Sequence, residues 1–165
     1  MNKIFRESGL MFDFTASENS YKADEPTYGG LSAVDFIVEM PQVFYFIEVK
    51  NLENTPPEYI AEQKEEFLIK IGDKKIQHKI SLKFKDTLLK RLAMGERFLK
   101  PIVFILLLEY QEFDSHQRRK LFENISNDIP KFSEDKYSSI NSISFVLCDK
   151  NKYDTAYKPI FAMQG

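Results

Sequence analysis

The sequence predicts an α/β fold in which helices cover both faces of a mixed β-sheet. Two observations carry this. Short apolar stretches at about 33–39, 43–50, 102–108 and 143–148 have the length and β-branched or aromatic content of strands. Between them lie longer stretches with helical periodicity, from about 55 to 94 and from 116 to 128.

Taken in order, LMFDFT at 10–15 reads as a first strand. SENSYKADEPTYGG follows as a loop or irregular hairpin arm, punctuated by Gly29 and Gly30. The next two strands flank Pro41-Gln42. Proline cannot adopt the positive φ of a two-residue type I′ turn. A four-residue loop, Met40 to Val43, is therefore expected, with Asp35 facing Glu48, Ile37 facing Phe46 and Glu39 facing Phe44. Thr55-Pro56-Pro57 starts a helix, because proline is tolerated in a first turn, and Gly72-Asp73 breaks it. A second helix over 74–94 places Ile76, Ile80, Phe84, Thr87, Leu88 and Leu92 near one face, and Gly95 stops it. Pro101 then opens IVFILLL, Ile102 to Leu108, a run with the character of a strand buried on both faces. Asp114-Ser115 caps the next helix. ISFVLC is another buried strand, and YKPIFAM is a candidate last one.

The 165 residues suffice for one domain, 1–165, with a sizeable core, and a hydrophobic share of 43% is that of an ordinary globular chain. MNKIFRESG lacks the apolar segment of a signal peptide, and the longest apolar run is too short to span a bilayer. A cytoplasmic protein without a membrane partner is the expectation. Cys148 is the only cysteine, which excludes an internal disulfide and a cysteine-based zinc site. His78 and His116 lack zinc-ligand spacing, and there is no phosphate-binding loop or dinucleotide fingerprint.

Charge is unevenly spread. Residues 1–69 hold 5 Lys/Arg against 13 Asp/Glu, residues 70–100 hold 10 against 3, and residues 101–165 hold 8 against 9. The basic block is either a solvated helix face or a surface for a polyanion. Lys79, Lys83 and Lys90 fall on one flank of the second helix beside its apolar stripe, together with Asp86. Lys83, nearest the stripe, either reaches over the sheet edge or snorkels to water.

The expected hairpin register gathers Asp35, Glu48 and Lys50 on one face of two otherwise apolar strands. Opposed carboxylates repel unless a cation lies between them. A hard divalent ion with oxygen ligands would meet that need; a buried carboxylate–lysine ion pair is the other reading.

An Asp in one strand and Glu-x-Lys at the end of the next, here Asp35 and Glu48-Val49-Lys50, resembles the PD-(D/E)xK nuclease superfamily. Val34 stands where that motif usually has proline. The resemblance covers roughly residues 1–110 and implies a restriction-endonuclease-like fold, with Mg²⁺ (or Mn²⁺) held by Asp35, Glu48 and the Val49 carbonyl. It further implies catalytic roles for Asp35, Glu48 and Lys50, and hydrolysis of phosphodiester bonds in nucleic acid, DNA ahead of RNA. Many members carry one more acid near the N-terminus, usually on a first helix; Glu7 is the candidate, with Asp24 as its competitor. AVDFIV, FIEVKN and KFKDTL also resemble a group of small PD-(D/E)xK-like proteins with an acidic loop before the Asp strand, where Asp24 and Glu25 would fall. Lys83 is a further site candidate, and Lys79, Lys83 and Lys90 are candidate nucleic-acid contacts. A homodimer is an open option. The alternative function is a non-catalytic interaction or regulatory module with the same fold; hydrolysis of another phosphate ester is a third.

Overall fold

The computed structural model describes residues 3–24, 29–131, 139–160 and 162–164. The polypeptide opens with a hairpin, β1 (Ile4–Glu7) and β2 (Leu10–Asp13), paired antiparallel. Its tight turn is Ser8-Gly9, both at positive φ (50° and 76°), the conformation that matches the twist of a two-residue hairpin. Strands β3 (Asn19–Lys22), β4 (Phe36–Glu39) and β5 (Phe44–Asn51) follow, then a 3₁₀ turn over Leu52–Asn54. Two helices, α1 (Pro57–Gly72) and α2 (Lys75–Ala93), precede β6 (Ile102–Glu109). Helix α3 (Ser115–Asp128), strand β7 (Ile143–Cys148), the short helix α4 (Lys150–Ala156) and strand β8 (Ala162–Gln164) complete the order.

The main sheet has five strands in the order β3-β4-β5-β6-β7, antiparallel across β3, β4 and β5 and parallel across β5, β6 and β7. The fold is therefore mixed α/β. The β4–β5 register pairs Ile37 with Phe46 and Glu39 with Phe44, as the Pro41-Gln42 argument requires. The loop is closed by Met40 N–H donating to the Val43 carbonyl at 2.9 Å. Strand β6 is buried from Phe104 to Leu108, which explains why its sequence shows no alternation.

One face of this sheet packs on α1, α2 and α3 through Phe46, Phe84, Phe104, Leu106, Phe67 and Leu121. The other is covered by β1 and β2 with the short α4, through Phe12, Phe14, Phe36, Ile47 and Tyr153. Helices thus lie on both faces, but unequally. Two successive right-handed crossovers that step the same way across a parallel sheet put their helices on the same side. The opposite face is left for the N-terminal hairpin, whose second strand also pairs with β8.

Several elements differ from the sequence reading. The first strand is not LMFDFT alone but a hairpin starting at Ile4. Within the stretch read as a loop or irregular hairpin arm, NSYK is the edge strand β3, antiparallel to β4; a polar edge strand lacks the alternation that would distinguish the two. The segment after β7 forms α4, capped by Asp149 accepting from Lys152 N–H. The last expected strand, YKPIFAM, is a 3₁₀ turn at Lys158–Ile160 and then β8, and part of it lies outside the described residues. The strand expected over about 33–39 begins only at Phe36, so Asp35 stands just before it and is not in the ladder opposite Glu48. The helix boundaries agree closely, including the break after Gly72, where Lys74 takes φ of 59°, and the capping box of Asp114 and Gln117 on α3. No helix among the described residues is long and apolar enough to cross a membrane.

Candidate active site

Strand pairing between β4 and β5 ends at Phe36 and Ile47. One residue earlier, the chain bends away and Asp35 replaces the ladder with its side chain: Val49 N–H donates to Asp35 Oδ2 at 2.7 Å. The Asp35 carbonyl accepts from Ala23 N–H at 2.9 Å, so the residue is also tied to the end of β3. Helix α2 holds the approach to it. Asp86 Oδ2 accepts from Ser32 N–H at 2.9 Å, and Thr87 Oγ1 accepts from Val34 N–H at 2.9 Å while donating to the Lys83 carbonyl at 2.7 Å. Thr87 thus has a polar task on an otherwise apolar stripe.

Glu48 shares the helix-facing side of β5 with Phe46 and is fully buried. Two ammonium groups compensate it. Lys83 from α2 lies 2.8 Å from Oε1 and 3.0 Å from Oε2, and Lys50 lies 3.0 Å from Oε1. Lys83 also stands 3.8 Å from Asp35 Oδ1. Asp35, Glu48, Lys50 and Lys83 are therefore one cluster at the C-terminal end of β5, and Lys83 reaches in over the sheet rather than snorkelling away.

Glu7 comes to the same place, from the end of β1 and not from a helix. The hairpin tip is fixed against the chain after β5: Asn51 Nδ2 donates to the Ser8 carbonyl at 2.9 Å. Gly9 packs so closely on Asn54 that an added Cβ would stand 2.3 Å from its Oδ1. Glu7 is paired with Lys22 at 3.2 Å and accepts from Ser8 Oγ at 3.1 Å. Asp24, just past β3, completes a trio: ligating oxygens of Glu7, Asp24 and Asp35 all lie within 4.8 Å of one another. Glu25 lies outside the described residues. Lys79 is exposed one helical turn before Lys83, and Lys90 is half-buried about two turns after it.

Burial is the main reason that the Asp35 carboxyl is pushed from 3.8 up to about 7, with the Glu48 charge adding to it; Lys83 and the Val49 N–H act in the opposite direction. Burial would lower the Lys83 ammonium, but Glu48 and Asp35 outweigh it and hold Lys83 above the usual lysine value. The cluster brings Glu7, Asp24, Asp35 and Glu48 together with the ammonium groups of Lys22, Lys50 and Lys83.

Set against protein-family models, curated proteins and solved structures, the chain matches none.

The donor set suits a hard divalent cation. Its atoms are all carboxylate oxygens, as Mg²⁺ and Mn²⁺ prefer. Two oxygens bound to one Mg²⁺ at about 2.1 Å can stand at most about 4.2 Å apart, so oxygens within 4.8 Å need only a small inward movement. Sequence reasoning named every acid of the cluster. It missed Lys22, whose polar strand reads equally as a loop or an irregular hairpin arm, and Asp86 and Thr87 as clamps on the loop leading to Asp35.

Proposed function

We propose that the protein is a metal-dependent nuclease of the PD-(D/E)xK type, with a restriction-endonuclease-like core, hydrolysing phosphodiester bonds in nucleic acid. The observation that carries this reading is the convergence of Asp35, Glu48 and Lys50 at the end of β5, with Glu7 and Asp24 bringing carboxylate oxygens beside Asp35. In this reading Asp35 holds Mg²⁺ or Mn²⁺, with Glu48 and the Val49 carbonyl, and Glu7 and Asp24 extend the site. The bound ion would neutralise phosphate charge and acidify a water molecule.

The chain's own residues do the rest. Lys50, about one-third exposed along its side chain, would orient that water and stabilise negative charge developing on the phosphate. Lys83, held on Glu48, keeps two buried carboxylates from repelling one another and fixes the Glu48 rotamer. Lys79 and Lys90, on the same flank of α2, contact the phosphate backbone, a role whose strength falls with salt. DNA is the preferred substrate over RNA.

One observation favours a non-catalytic module of the same fold: both Glu48 oxygens are already bonded by Lys83. Incubating the protein with single- and double-stranded DNA and RNA, in Mg²⁺ and in Mn²⁺, separates the readings. The nuclease reading expects cleavage that Lys50→Ala abolishes while circular dichroism stays unchanged. Intact substrates throughout would leave the module.

A further inference from the structure

We propose that the outer edge of β7 is a docking strand for an extended acidic–apolar segment of a partner protein. The surface lies at the opposite edge of the sheet from β3, and the proposal does not depend on the nuclease reading.

Strand β7 ends the sheet, paired only with β6 among the described residues. Ile102 N–H donates to the Ser142 carbonyl at 2.8 Å, so that residue's backbone points inward. Alternation then aims the backbone groups of Ile143, Phe145 and Leu147 outward. Open edges are commonly protected by a charged residue, a proline or a bulge. ISFVLC has no charge and no proline.

Beside this edge, α3 and β7 enclose a groove of about 460 Å³ with Phe122, Phe145, Val146 and Leu147 in its wall. Phe122 is 39% exposed and stacks on Phe145 with ring centroids 5.5 Å apart. A second hollow of about 260 Å³ also uses Phe145 and continues past Ile143 and Ile129. The apolar trough therefore follows the length of the strand, which at six residues is about 20 Å. This shape suits an added strand with alternate side chains in the trough.

The rim selects the partner's charge. Arg118, Arg119 and Lys152 line the first groove. Arg119 is engaged by Glu123 at 2.8 Å; Arg118 lies over the Phe113 ring. Arg118 and Lys152 have no carboxylate partner within ion-pair distance among the described residues. A second copy paired edge to edge about a two-fold axis would bring this cationic rim to the Ile143 end of its partner, where Lys131, and no carboxylate among the described residues, lines the hollow. Carboxylates alternating with apolar residues satisfy the rim and the trough together.

The probe is a fluorescent, end-blocked heptapeptide alternating glutamate with valine or phenylalanine, followed by anisotropy. Saturable binding is expected. It should weaken about tenfold or more with Arg118→Glu combined with Lys152→Glu, and similarly when lysine replaces glutamate in the peptide. N-methylation of the peptide amides that face β7 should abolish it, a control that leaves the protein's own folding untouched. Equal binding by the lysine or N-methylated peptides, or no binding at millimolar probe, would overturn the proposal. So would a dimer in sedimentation that the probe dissociates, which would assign the edge to a second copy.

Discussion

Asp35→Asn is expected to stabilise the protein at neutral and alkaline pH and to change it little in acid. The amide can still accept from Val49 N–H, which now donates to Asp35 Oδ2 at 2.7 Å, but it carries no charge to bury. Burial raises the Asp35 carboxyl from 3.8 to about 7 in the folded chain. The native state therefore holds this proton more tightly than the unfolded one. Stability is fully present below the unfolded value, falls as pH rises from about 4 to about 7, and is level above that. At about 1.36 kcal/mol per pKa unit, the ionised carboxylate costs on the order of 4 kcal/mol at pH 8 and about 1 kcal/mol at pH 4.5. The advantage of the variant should thus grow by about 3 kcal/mol between those pH values. Urea unfolding of both proteins at the two pH values measures it, and titrations common to both cancel in the difference. An advantage that is the same at both would refute the reasoning.

Other perturbations follow from the same contacts. Lys83→Met leaves the fully buried Glu48 with Lys50 as its one ammonium partner among the described residues; a loss of about 3–5 kcal/mol in urea unfolding is expected. Thr87→Val keeps the shape but strands the buried Val34 N–H, which it accepts at 2.9 Å, costing about 1–3 kcal/mol and accelerating hydrogen exchange at Val34. Lys50→Ala leaves the buried Glu48 both of its bonds from Lys83, so a smaller loss of stability than for Lys83→Met is expected, together with loss of cleavage in a gel assay. Lys79→Ala should weaken DNA binding modestly and reduce the salt slope by about one.

The β4–β5 register was legible because proline at 41 excludes the two-residue turn and a four-residue loop, Met40 to Val43, fixes the pairing. That register brings Asp35 to the end of the ladder near Glu48, but the bend there and the bond from Val49 N–H that hold it were not legible. Lys83 was legible as the flank position nearest the apolar stripe of α2. The position of Asp24 was not legible. The loop that follows it is held by Asp86 and Thr87, which are 54 and 53 residues from their backbone donors; no local pattern encodes contacts of that range. Glu7 was identified by charge and position, but its setting was misjudged. IFRE is too short to distinguish strand from helix, and only the Ser8-Gly9 turn pointed to a hairpin. The composition of the second face was hidden for a topological reason: the handedness of the crossovers, not the hydrophobic pattern of any one helix, leaves that face to β1 and β2.

The most direct test is a Mn²⁺ titration followed by electron paramagnetic resonance at neutral pH, comparing the wild type with Asp24→Asn and Asp35→Asn. The nuclease account predicts saturable binding by the wild type at or below millimolar Mn²⁺, weakened by both substitutions. A folded wild type whose Mn²⁺ spectrum stays that of the free ion at millimolar concentration would contradict it, leaving Asp35, Glu48, Lys50 and Lys83 as a structural ion cluster.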